Sequence, residues 1–91
     1  MREIRLDCRQ IGTPKAFQIY LQFIMRFPAW YGRNLDALHD MLTEEAGPLH
    51  MILVTDDQMT QEMKTYLERV KQVLTDVSAE RNGFTFDIIA R

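Results

Sequence analysis

A chain of 91 residues, 46% hydrophobic and 26% charged, has the length for one domain around one core, because so small a fold buries only roughly 60 to 65% of its unfolded surface. Eleven Lys and Arg stand against thirteen Asp and Glu, yet the signs are segregated: from Asn34 to Met63 there are seven acidic residues and no Lys or Arg. Such a stretch argues against direct nucleic-acid binding and for a basic protein partner, and no apolar run approaches the roughly 18 residues of a membrane helix.

Glu3 to Cys8 alternates polar and apolar residues, placing Ile4, Leu6 and Cys8 on one side, which is the period of a half-buried strand. Charged Arg2, Glu3 and Arg5 leave no apolar stretch of the kind a secretion signal needs, so a cytoplasmic location is expected. Cys8 is the only cysteine; it excludes an internal disulfide and CxxC schemes, and reads as a small buried hydrophobe. Thr13 followed by Pro14 signals a helix start, and Phe17, Tyr20, Leu21 and Ile24 recur at helical spacing until Pro28, predicting a first helix over about 14–26. Asn34 is the N-cap of a second helix reaching Glu44 or Glu45, with Gly47-Pro48 as its stop. Leu49 to Thr55 is an almost continuous apolar run, as expected of a central strand covered on much of both faces, with His50 turned towards a hydrogen-bonding neighbour.

Met59, Met63, Tyr66, Leu67, Val70, Val73, Leu74 and Val77 trace a stripe over about 20 residues. A long third helix is expected, broken near its start, with Asp56 and Asp57 at its N-terminus, where the helix dipole favours negative charge. Met41, Met51, Met59 and Met63 fall on buried stripes and read as core filling. Asn82-Gly83 is a turn, and Phe84 to Ala90 a last strand. The order β-α-α-β-α-β predicts an α/β fold: a three-stranded, mainly parallel sheet with helices packed on it through right-handed crossovers, in one domain spanning 1–91.

The second helix holds the unusual chemistry. At about 100° per residue, Leu35, Leu38, Met41 and Leu42 share one side, and Asp36, Asp40 and Glu44 lie nearly opposite. Acids at this spacing repel by roughly 0.2 to 0.5 kcal/mol per pair, and Glu44 and Glu45 sit at the end where the dipole disfavours them. A solvated face is the plain reading of a charge run, but one that costs stability without local gain points to function. Trp30 and Tyr31, just before the helix, are either core or interface anchors.

Catalytic readings are weaker. Asp36 and Asp40 form a carboxylate pair without the concave, partly dry pocket that acid and base catalysis requires. His39 has no Ser or Cys nucleophile beside it, since Ser78, the only serine, falls in the third helix. Two carboxylates and one imidazole on an exposed face are common by chance, and the four Gly form no phosphate loop. The chain is expected to be neither an enzyme nor a holder of a metal or cofactor.

The run Phe27-Pro28-Ala29-Trp30-Tyr31-Gly32-Arg33-Asn34-Leu35-Asp36-Ala37-Leu38-His39-Asp40-Met41-Leu42 resembles the barstar family of small ribonuclease inhibitors, and length and element order match over the whole chain. The resemblance implies a cytoplasmic, immunity-type inhibitor, monomeric when free, that plugs the active site of a small basic ribonuclease of the barnase type or a related nuclease toxin. Asp40 would take the place of a substrate phosphate among the enzyme's Arg and His side chains, and Asp36 would face the same basic rim. Trp30 would cover a catalytic histidine, with Tyr31, Gly32, Asn34 and Leu35 as further loop contacts. His39, Thr43 and Glu44 would complete the helix face, and Asp76 in the third helix would add an acidic contact.

Four positions depart from the family pattern: His39 stands for a tryptophan, Glu44-Glu45 for a Gly-Trp pair, and Arg33 for an acid. Specificity is a difference of affinities, and such changes retune it. The competing expectation is a module of the same fold that docks a basic protein other than a nuclease.

Overall fold

The computed structural model describes residues 2–45 and 47–91. Six elements follow in the expected order: β1 (Arg2–Asp7), α1 (Pro14–Met25), α2 (Leu35–Glu44), β2 (Leu49–Thr55), α3 (Gln61–Glu80) and β3 (Phe84–Ala90). The strands form one parallel sheet in the order β1-β2-β3, with Leu6 beside Leu53 and Leu53 beside Ile88. The fold is therefore α/β, with the apolar run of β2 in the centre.

Side chains alternate across a strand, and here one face supplies the core. Leu6, Cys8, Leu49, Met51, Leu53 and Phe84 meet Phe17, Leu21 and Met25 of α1, Leu38 and Leu42 of α2, and the Met63 to Val77 stripe of α3. Burial pushes the Cys8 thiol up to about 12, which keeps it protonated at neutral pH. The opposite face is covered in part, as the apolar run of β2 led us to expect, and Val54 is buried there. His50 and Ile52 are half-buried there, and His50 is occupied by Thr85 (Nδ1 to Oγ1, 2.6 Å) and Asp87 (Nε2 to Oδ2, 3.2 Å) of β3.

All three helices start on the same device. The side chains of Thr13, Asn34 and Thr60 accept from the backbone N–H three residues on, at Ala16, Ala37 and Met63. For α3 this corrects two expectations. The helix runs unbroken for 20 residues from Gln61, and Met59, only 7% exposed, precedes it. Asp56 and Asp57 do not sit at its N-terminus: Asp56 accepts from the Gln58 N–H at 3.0 Å and closes a turn, and Glu62 is the acid in the first turn. Among the described residues no helix is long and apolar enough to cross a membrane.

Candidate protein-binding site

The loop from Arg26 to Asn34 is built from its own polar groups. Arg26 closes α1 in the left-handed region at φ 58°, and its N–H reaches back to the carbonyls of the last turn. The Pro28 carbonyl then accepts twice, from the Tyr31 N–H at 2.9 Å and from Gln22 Nε2 at 2.8 Å. The other end of the Gln22 amide accepts from Arg33 Nε at 2.7 Å, so one glutamine holds both sides of the loop.

Tyr31 points inward. It is 4% exposed, packs on Phe27 with ring centroids 4.7 Å apart, and donates its hydroxyl to Gln18 Oε1 at 2.6 Å. Gln18 Nε2 in turn donates to the Tyr66 hydroxyl at 2.8 Å, linking loop, α1 and α3. Burial pushes the Tyr31 phenol above its ordinary value, with Tyr66 adding to the shift. Trp30, one residue earlier, is 76% exposed and lines a groove of about 490 Å³ with Phe27, Met41 and Glu44.

Gly32 and Asn34 shape the entry to α2. A Cβ on Gly32 would lie 3.2 Å from both the Ala37 Cβ and Asn34 Nδ2, a closer approach than a side chain tolerates without shifting its neighbours. Asn34 joins the two segments, donating to the Gly32 carbonyl at 3.2 Å and accepting from the Ala37 N–H at 2.7 Å.

Along α2, Leu38 and Leu42 are buried while Leu35, Ala37 and Met41 pack against the core's edge. That orientation leaves Asp36, Asp40 and Glu44 outward. The Asp40 side chain is 73% exposed, and its Oδ1 lies 3.6 Å from His39 Nδ1. His39 is half-buried and turns its Nε2 to Glu80 Oε2 at 2.9 Å. Thr43 spends its hydroxyl on the His39 and Asp40 carbonyls, at 2.9 and 3.1 Å. Glu45, next to the ridge in sequence, is drawn away into a pair with Arg2.

Asp76 sits apart on α3, its Oδ1 accepting from Gln72 Nε2 at 3.0 Å; among the described residues no hydrogen bond or ion pair joins it to α2. Glu80, not Asp76, makes the connection to His39, and sequence spacing carries no signal for a contact between two helices 41 positions apart. Gln18 and Gln22 were likewise invisible as positioning residues, because a glutamine inside a helical pattern reads as solvated. Among the described residues no group of three His, Cys, Asp or Glu is placed to hold a metal ion.

What this arrangement offers is a rigid helix presenting carboxylates, flanked by an exposed indole. The family model described as Barstar (barnase inhibitor) matches residues 1–91. The chain belongs to the barstar family. Within that family's reach it is similar to the protein named "Putative ribonuclease inhibitor YrdF" of Bacillus subtilis (strain 168), with 32% identity over 81 residues, covering 88% of this chain and 89% of that protein. In this barstar-family chain, the loop and α2 just described coincide with the run that carried the resemblance.

Proposed function

We propose that this protein inhibits a small basic ribonuclease by inserting α2 and the preceding loop into the enzyme's active-site cleft, with no catalysis of its own. The family description and the name of the Bacillus relative support ribonuclease inhibition. The observation that carries the mechanism is the state of the α2 ridge: Asp36, Asp40 and Glu44 are exposed on one helix whose other side is locked into the core.

Asp40 stands in for a substrate phosphate. Its carboxylate accepts from cleft Arg and His groups as a phosphate oxygen would, and charge-assisted bonds of this kind are the strong ones. Asp36 and Glu44 extend the acidic field along the cleft rim, and opposed fields raise the rate of encounter. Trp30 provides the large apolar contact that anchors an interface, and Gly32, Asn34 and Leu35 approach the enzyme through a loop already ordered by Gln22 and Tyr31. His39 and Thr43 fix the ridge from below, and Asp76 adds charge from α3. One domain, acting as a monomer in the cytoplasm of the producing cell, is enough for this task.

Titrating the purified chain into a ribonuclease of the barnase type tests the reading. Loss of activity that is complete at one equivalent is the expected result. Binding without loss of activity would move the protein to the non-nuclease interaction module instead.

A further inference from the structure

A patch of opposite sign adjoins the acidic ridge. Where the start of α1, the loop before α2 and the middle of α3 meet, a groove of about 470 Å³ opens between Lys15, Gln18, Arg33, Asp36, Tyr66 and Arg69. Three of these residues are cationic and exposed. Among the described residues none of the three forms an ion pair with a carboxylate of this chain. Three cations left together around one groove repel each other, and a stable fold gains nothing from that arrangement.

Arg33 is the most firmly aimed. Its backbone is held in the left-handed region at φ 52°, and its Nε is fixed on Gln22 Oε1 at 2.7 Å. A guanidinium has five N–H donors, so this bond leaves both terminal nitrogens for a ligand. Their fork suits a carboxylate, which it grips through two parallel bonds. Asp36 at the rim opposes a multiply charged phosphate, whereas a single carboxylate reaching past it meets three cations.

We infer that this notch receives a carboxylate side chain from the rim of the target nuclease's cleft and thereby selects which basic nucleases the chain accepts. The inference rests on α2 being the nuclease-binding face, because notch and ridge share Asp36. A rim that is basic throughout gains from Asp36 and Asp40 but meets Lys15, Arg33 and Arg69 as like charges. A rim bearing an acid beside the cation that meets Asp36 satisfies both signs. Attraction at one point and repulsion at the next is how a surface separates similar partners.

The probe is a displayed library of catalytically inactive barnase with its cleft-rim positions randomised, sorted for binding to the wild-type chain and to the Lys15→Glu/Arg33→Glu/Arg69→Glu variant. The wild type is expected to enrich Asp and Glu at rim positions by about fivefold, the upper range for an exposed ion pair, and the triple variant to enrich Lys and Arg at the same positions. Lys15→Glu/Arg69→Glu changes only exposed helix positions, leaves the Arg33 backbone untouched, and is expected to shift the pool in the same direction. Pools that match between wild type and variants, or a wild type that enriches no acidic rim, overturn the inference. A parallel sort with Asp36→Ala/Asp40→Ala separates the two ideas: binding that survives it unchanged removes the α2 reading, whatever the notch selects.

Discussion

His39 on α2 and Glu80 at the end of α3 meet side chain to side chain, Nε2 to Oε2, at 2.9 Å. The contact ties the middle of the acidic ridge to the longest helix and holds the imidazole beside Asp40. Both partners remain partly in water, and such pairs contribute between zero and about 1 kcal/mol. Glu80→Ala is therefore expected to lower stability by no more than about 1 kcal/mol in equilibrium urea unfolding.

Asn34 makes a larger contribution, because one side chain satisfies an orphan N–H of α2 and a loop carbonyl together. Asn34→Ala is expected to cost about 0.5 to 2 kcal/mol in the same assay. Asn34→Asp keeps the acceptor for the Ala37 N–H but loses the donor to Gly32, so it should recover most of the stability and not all of it.

Tyr31 links stability to alkaline pH. Burial raises its folded value above the ordinary 10, so the fold favours the neutral phenol. The sign follows: this contribution is complete below about pH 10 and is lost as pH rises through the folded value. Tyr31→Phe is expected to destabilise the protein at neutral pH by about 1 to 3 kcal/mol, leaving Gln18 Oε1 short of a donor. The difference between wild type and variant, followed by urea midpoints from pH 7 upward, should shrink above about pH 10.

Arg26 is a residue with a Cβ in a conformation that suits glycine, at φ 58°. Arg26→Gly is expected to raise the urea-unfolding free energy by about 1 kcal/mol, since it relieves the left-handed backbone strain and removes a side chain that is exposed.

Most of the architecture was legible because each element carries its own punctuation. Thr13-Pro14, Asn34 and Gly47-Pro48 mark helix ends through local backbone chemistry, and the apolar run of Leu49–Thr55 marks the centre of the sheet. The start of α3 misled for a physical reason: Met59 is buried four positions before Met63, a spacing that mimics a helical stripe, while the Thr60 side chain begins the helix one residue later. The orientation of α2 was readable from Leu38 and Leu42 opposite Asp36 and Asp40. The inward turn of Tyr31 was not, because an aromatic beside an exposed tryptophan has no period to assign it a side. The grouping of Lys15, Arg33 and Arg69 was equally hidden, since three separate segments bring them to one groove.

The sharpest measure of the α2 reading is the dissociation constant of Asp40→Ala, set against that of Glu62→Ala, for a ribonuclease that the wild-type chain inhibits. Glu62 is exposed in the first turn of α3 and has no part in the proposed interface. Asp40→Ala is expected to weaken binding by at least about thirtyfold, the scale of an interface hot spot, and Glu62→Ala by less than about threefold. Equal effects of the two substitutions would contradict the assignment of Asp40 as the group that enters the nuclease cleft.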